Sequence, residues 1–205
     1  ETKDNDFTWK DFQTKNNSEL VGIYGNFVNR TVVLTQKYFE GKVPEKGLLE
    51  TVDTDTLKAL AELPAQIAGS LQHYKFREAL AGMMEVARLG NKYLADTEPW
   101  KVWKEDPERV ATILNIATQI TATLAIVSEP FLPFTAKKIY TQLSSSRWSL
   151  AGDSSVWADA GQASLVPAGT EVLQDGLLFE KIEDAAIEAQ VQKLLNSKKL
   201  NELEG

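Results

Sequence analysis

Residues 20–39, LVGIYGNFVNRTVVLTQKYF, constrain the fold more than any other stretch, because a broad apolar face and a polar one alternate there at helical spacing. At about 100° per residue, Leu20, Val21, Ile23, Tyr24, Phe27, Val28, Val32, Leu34, Tyr38 and Phe39 cover roughly half of the wheel, the width of a face packed into a core. Asn26, Asn29, Arg30, Gln36 and Lys37 share the other half with Gly22, Gly25 and one exposed apolar residue, Val33. Asn26 and Arg30 are four positions apart, so their side chains stand one turn from each other on the solvent side of a helix fixed in a core. The alternative reading of such a pair is ordinary helix-surface polarity.

The chain has 205 residues, enough for one large domain or a domain with an appendage. We find no run of 18 apolar residues and no leader of basic, apolar and small residues, so the expectation is a protein with neither a membrane span nor a signal peptide. There is no cysteine and one histidine, which excludes disulfides and thiolate metal sites and disfavours zinc bound within the chain. A cytoplasmic location is the simplest expectation. The formal charge is −7, but residues 148–205 hold 10 acids and 4 bases, which leaves 19 acids and 18 bases in residues 1–147. A nearly neutral body cannot grip a phosphate backbone indiscriminately, so any polynucleotide it binds must be read through a few bases or held by another domain.

The opening ETKDND is polar and lacks an initiator methionine, as in a fragment of something longer. Phe7, Trp9 and Phe12 alternate with polar residues and predict an extended segment pinned by aromatic anchors. A first helix is expected over 13–40, stopped by Gly41 and Pro44. Asp53 is the expected N-cap of a second helix with a kink at Pro64. A third helix over 74–94 places Phe76, Leu80, Met83, Ala87 and Leu94 inward. Pro99, Trp100, Val102 and Trp103 form an aromatic connector; Asp106 and Pro107 then cap a fourth helix over 107–128, with Val110, Leu114, Ala117, Thr121, Leu124 and Ala125 as one stripe. A fifth follows over 135–143. From 144 to 182 only short extended pieces such as 156–157 and 177–179 are expected, in a tail laid back over the bundle and anchored by Trp148, Trp157, Leu178 and Phe179. Residues 184–200 carry a last, weakly amphipathic helical pattern. The fold class is therefore all-α: a bundle of about five helices over 1–147, an irregular tail over 148–182 and a helix or linker over 183–205.

Asn26 to Arg30 on the first helix, then Asn91, Lys92 and Tyr93, then Glu98, Pro99 and Trp100, then PFLPFTA over 130–136 and LFEKIED over 178–184 occur in that order. In this order and spacing they resemble the anticodon-binding helical domain of bacterial-type methionyl-tRNA synthetases, across nearly the whole chain. The resemblance implies the C-terminal half of a class I synthetase, with a catalytic domain in cis that uses ATP and for which zinc is left open. No cofactor is implied for this fragment. Neither an HIGH-like nor a KMSKS-like signature is present; the lone His73, in QHYK, reads as a helix-end residue, and catalysis is expected elsewhere.

In that family an Asn and an Arg of the first helix and the Trp after a Pro read the anticodon CAU, and the matching positions are Asn26, Arg30 and Trp100, with Asn29, Asn91 and Pro99 as candidate support. The residue types suit the task. An indole stacks on an unstacked base, an amide offers a donor and an acceptor to a Watson–Crick edge, and a guanidinium offers donors to cytosine or phosphate. A Trp after Pro is otherwise a core anchor, and in WKVWK the sequence leaves open which ring points in. Arg88, Lys92, Lys101 and Lys104 against Asp96 and Glu98 make residues 86–104 locally basic by two charges. One departure stands out: where some members carry an acid one turn before the Trp, this chain has Ala95, followed by Asp96. The implied partner is the anticodon loop of tRNA(Met), with no membrane and the oligomeric state open. The alternatives are an anticodon domain of the isoleucine, valine or cysteine type, or a helical protein-interaction scaffold without RNA.

Overall fold

The computed structural model describes residues 6–144 and 154–203. The chain runs through α1 (Trp9–Lys15), a π-helical stretch (Asn16–Gly25), α2 (Asn26–Phe39), α3 (Thr51–Gln72), α4 (Phe76–Thr97), a single turn α5 (Pro99–Val102), α6 (Pro107–Ser128), α7 (Pro133–Gln142), a short α8 (Ser154–Asp159) and α9 (Asp184–Leu203). Among the described residues the only β feature is an isolated antiparallel bridge between Lys42 and Glu171. The all-α expectation therefore holds.

The first rod starts earlier than its sequence suggests and changes pitch on the way. The Thr8 hydroxyl accepts from the Asp11 amide at 3.1 Å and caps α1, so Trp9 and Phe12 are helical rather than extended. In the stretch Asn16–Gly25 the wider i→i+5 turn makes a 100° wheel inapplicable, and Leu20, Val21 and Ile23 end half-buried while Tyr24 is fully buried. Regular α geometry resumes at Asn26, where Phe27, Val28 and Val32 face the core as the pattern predicts, Thr31 and Thr35 join them there, and Leu34, Tyr38 and Phe39 are half-buried.

The π-helical stretch carries the returning chain. Asn17 exchanges a pair of 2.9 Å hydrogen bonds with the Ile182 carbonyl and amide, and the Asn16 amide donates to the Glu180 carbonyl at 3.1 Å. Gly25 leaves room for the Phe179 ring, which meets Tyr24 edge-on at 5.4 Å. Farther along, Gln119 in the centre of α6 accepts from the Val166 amide and donates to its carbonyl, at 2.8 and 2.9 Å. The segment expected to be extended at 156–157 is instead α8. Its Trp157 indole donates to the Pro64 carbonyl at 3.3 Å and Gly161, at φ +87°, closes against Leu60 and Ala61. Leu178 and Phe179 pack on the core as expected, whereas Trp148 lies outside the described residues.

Helix α6 is the axis of the bundle. Apart from its first few residues it is buried all round, not along a single stripe, and it is long and apolar enough by composition to cross a bilayer. It is interrupted by Thr112, Asn115, Thr118, Gln119, Thr121 and Thr123, so it is no unbroken apolar run, and in this fold its apolar surface faces other helices. Four of its buried hydroxyls, those of Thr118, Thr121, Thr123 and Ser128, each donate to the carbonyl four residues earlier, while Asn115 donates to the Pro44 carbonyl at 2.8 Å. Asp106 caps it by accepting from the Arg109 amide at 2.9 Å, and α3 runs unbroken through Pro64. Two inward assignments on α4 fail: Leu80 is exposed because it edges an open groove, and Phe76, the first residue of the helix, is exposed and meets Tyr74 edge-on.

Asp53 is not the N-cap of α3. Glu50 holds that position, and Asp53 sits at N3 with its carboxylate fully buried, accepting from the Glu50 amide at 2.9 Å. Arg109 grips the same carboxylate with both terminal nitrogens, at 2.5 and 2.9 Å, and the Tyr93 hydroxyl donates to it at 2.6 Å. Burial alone would raise the Asp53 carboxyl, but the hydrogen bonds from Arg109, Tyr93 and the Glu50 amide outweigh it and hold the group below its ordinary value of 3.8. Burial and the neighbouring carboxylate push Tyr93 far up, so it stays a protonated donor. A carboxylate with a depressed native pKa contributes stability in full above its ordinary value, and loses it as pH falls from 3.8 through the native value. Replacing Asp53 by Asn leaves a guanidinium that is only 11% exposed with the solvent-facing Glu50 carboxylate, 3.3 Å from its Nε, as its remaining anion, and should cost about 3 kcal/mol at neutral pH. Urea unfolding from pH 7 down to pH 3 checks both parts: the variant should be weaker at pH 7, and its stability should fall less steeply below pH 4.

Candidate nucleic-acid interface

Helices α2 and α4 cross where the buried Phe27 ring lies on Gly90. A glycine inside a helix is a local weakness, and here it is needed, since a Cβ at position 90 would sit inside contact distance of Phe27 Cε2 and Cζ. The next residue, Asn91, is half-buried and thereby brought against α2. Its side-chain nitrogen donates to the Ile23 carbonyl at 2.8 Å and to the Ala87 carbonyl at 3.1 Å, which uses both of its N–H groups. Its oxygen is therefore left as an acceptor, and Asn26 donates to it at 3.1 Å. Asn26 is exposed and keeps its own oxygen and one N–H for solvent. The orientation of one surface amide is thus fixed by a chain of bonds that ends on backbone.

Arg30, one turn farther along α2, lies with its guanidinium carbon 4.7 Å from the centroid of the Trp100 ring. Such a stack is worth on the order of 0.5–1 kcal/mol at a partly exposed position. Trp100 remains 37% exposed, while Trp103 is half-buried, stacked on Tyr38 at 4.5 Å and edge-on to Phe39 at 5.4 Å. The ambiguity of WKVWK is resolved by this division: Trp103 is the anchor and Trp100 stands outside. Glu98, left-handed at φ 42°, ends α4, and the buried Pro99 starts α5, so the backbone turns sharply just before the indole. Asn26, Arg30, Trp100, Asn91 and Pro99 meet at one end of the bundle. Asn29 is half-buried and, among the described residues, is not joined to this chain of contacts.

The local basic excess is largely internally paired. Arg88 contacts Glu19 at 2.6 Å and Glu85 at 3.4 Å, Lys101 contacts Glu98 at 2.7 Å, and Lys92 pairs with Asp96, the acid that follows Ala95. Exposed pairs of this kind are worth about 0–1 kcal/mol, so a phosphate can take over either lysine at little cost. His73 caps the end of α3, where its Nδ1 meets the Gly69 carbonyl at 2.7 Å, far along the chain from these residues. Among the described residues no group of three or more His, Asp or Glu side chains gathers where a metal could be held. The parts that sequence reasoning missed are Gly90 and the Asp53–Arg109–Tyr93 cluster. The only signal for the first was a glycine inside a helical pattern; for the second there was none, because its members are 40 and 56 residues apart.

The chain is thus an all-α bundle in which the Asn26–Asn91 amide pair and the Arg30–Trp100 stack stand one helical turn apart on α2. Residues 43–199 match the family described as the anticodon binding domain of methionyl tRNA ligase, and residues 1–32 match the class I (M) tRNA synthetases. The chain belongs to the methionyl-tRNA ligase anticodon-binding family. It is 57% identical to a methionine–tRNA ligase of Cytophaga hutchinsonii and 58% identical to one of Bacteroides fragilis, in each case over 98% of this chain and 28% or 29% of the relative. The chain thus spans less than a third of the length of these relatives. Among solved structures, the free form of Mycobacterium tuberculosis methionyl-tRNA synthetase superposes with a TM-score of 0.75 at 20% identity, over 86% of this chain and 35% of that one, a likeness of fold.

The site depends on the α2–α4 crossing, and Gly90→Ala tests it. Alanine gains up to about 1 kcal/mol in helix propensity, but overpacking against an immobile buried ring costs about 1–3 kcal/mol. Thermal unfolding should therefore show a net loss; an unchanged or raised Tm would mean that the helices separate freely and do not fix Asn91 against Asn26.

Proposed function

We propose that this chain reads the CAU anticodon of tRNA(Met) for an ATP-dependent methionine–tRNA ligase of the cytoplasm, whose catalytic part is not contained in these residues. The observation that carries the reading is the Arg30–Trp100 stack beside the Asn26–Asn91 amide pair, where α2, α4 and α5 come together. In this reading residues 1–147 are the base-reading bundle, 148–182 a strap across it, and 183–205 a connecting helix.

The chemistry assigns each residue a part. Trp100 supplies a rigid apolar plane on which an unstacked anticodon base lies, and Pro99 sets the turn that presents it. Asn26, its amide held in one orientation by Asn91, offers one donor and one acceptor to a Watson–Crick edge. Arg30 offers donors that suit the O2 and N3 acceptors of cytosine, and it also reaches phosphate. Because the body is almost neutral, base contacts must supply most of the discrimination. Support for methionine over the isoleucine, valine or cysteine types comes from the family matched and from the relatives above 50% identity.

The test is the affinity of the chain for a CAU anticodon stem-loop, compared with one whose loop reads GAU. Removing the indole in Trp100→Ala should cost about 1–3 kcal/mol, or roughly 5- to 150-fold in Kd, with the helical circular dichroism unchanged. Equal affinities for wild type and variant, or for the two loops, would leave the scaffold reading in its place.

A further inference from the structure

The stretch Asn16–Gly25 is a ten-residue π-helix set into a rod that is α on either side. Such geometry normally lasts a single turn and is frequently found at functional positions, so a run of this length needs something to hold it. Two glycines give it room. A Cβ at Gly22 would lie 3.2 Å from the Asn17 carbonyl oxygen, and one at Gly25 3.1 Å from that of Leu20, each five residues back. Two anchors then fix the rod at either end of the wide turn. The buried Tyr24 hydroxyl meets the Ser128 hydroxyl of α6 at 2.8 Å, and the Asn17 side chain holds both the carbonyl and the amide of Ile182 at 2.9 Å.

The far end of the stretch touches the base-reading pair. At the return to α geometry the Asn26 backbone amide is shared between the Ile23 and Val21 carbonyls, and the Ile23 oxygen also accepts from the Asn91 side chain at 2.8 Å. In an unbroken α-helix that oxygen would be aimed along the axis at the amide four residues on, that of Phe27. The direction in which it is offered to α4 therefore depends on the wide turn. Resting on the function proposed above, we propose that Asn17 is a positioning residue for base recognition: by latching Ile182 it holds the π turn that presents the Ile23 carbonyl to Asn91, and Asn91 in turn orients the Asn26 amide. The returning chain at 180–182 thereby takes part in reading a base that it does not touch.

The test compares variants of this chain in their affinity for CAU and GAU anticodon stem-loops. Asn17→Ala removes the latch, whereas Gly22→Ala leaves the latch in place and opposes the wide turn by crowding the Asn17 carbonyl. Each should lower the preference for CAU by roughly 2- to 10-fold. Gln13→Ala is the matched comparison and should leave the preference unchanged, because Gln13 also donates to the Ile182 carbonyl at 2.9 Å but does so from α1, outside the π-helix. In an Asn26→Ala background, Asn17→Ala should lower the preference no further, since it acts through Asn26. A readout without RNA accompanies these: the NMR signal of the Asn91 side-chain NH2, hydrogen-bonded through both protons in the wild type, should move towards its free-amide position in Asn17→Ala and Gly22→Ala. An unchanged preference or an unmoved Asn91 signal in both variants would overturn the proposal, as would an equal loss in Gln13→Ala or an added loss in the Asn26→Ala background. A wild-type chain with no preference for CAU would instead sink the anticodon reading, and the Asn91 signal would still show whether Asn17 orients that amide, so the two failures are distinguishable.

Discussion

The bidentate grip of Arg109 on the buried Asp53 is the constraint on which the working end depends. It joins the first turn of α3 to the first turn of α6, and Tyr93 adds the later part of α4 to the same carboxylate. The turn that carries Trp100 is strung between α4 and α6, so both of its attachments are clamped to one point. An uncompensated carboxylate in this position would be destabilising by several kcal/mol; four donor hydrogens from three groups offset that. An apolar cluster of the same volume would hold the helices together as well. It would not fix their rotation, whereas a planar fork on a planar carboxylate does.

A second constraint acts on finer detail. An exposed Asn is normally free to flip its amide, which exchanges donor for acceptor and would blur the reading of a base edge. Here the two backbone carbonyls of Ile23 and Ala87 decide the orientation of Asn91, and Asn91 decides that of Asn26. The arrangement exists because Gly90 lets α4 approach α2 to within the thickness of the Phe27 ring. Tertiary packing, not helix propensity, therefore determines which half of a surface amide faces the solvent.

The sequence made the helical class legible, along with the limits of α6 and the three residues at the open end, because these rest on local periodicity, on Asp106 and Pro107 as a start signal, and on ordered motifs. It misassigned what depends on non-local partners. Asp53 has the chemistry of an N-cap, but a charged partner 56 residues away draws it inward and leaves Glu50 at the cap. Leu80 fits an inward period, yet the neighbouring rod leaves a groove beside it. The wheel over Leu20 to Ile23 failed because the turn there is wider than α, a feature tied to the Asn17 bonds with Ile182. Which tryptophan of WKVWK points out was settled by Tyr38 and Phe39, whose rings are adjacent in space only once α2 and α5 are placed.

Electrostatics and stacking divide the work at the open end. Lys92 and Lys101 are tied to Asp96 and Glu98 in the free chain, so they present little net field to a distant polyanion. Each such pair is weak enough that a phosphate brought to the right place can displace the carboxylate. Under the proposed function the cations would then reward a loop already docked through its bases, and not recruit arbitrary nucleic acid, whose capture needs many unpaired Lys and Arg contacts. With 19 acids and 18 bases in residues 1–147, that function would require the Trp100 plane and the oriented Asn26 amide to discriminate before the charges contribute. Under the proposed function, the near-neutrality that at first argues against an RNA partner is thus what would make a base-reading end selective.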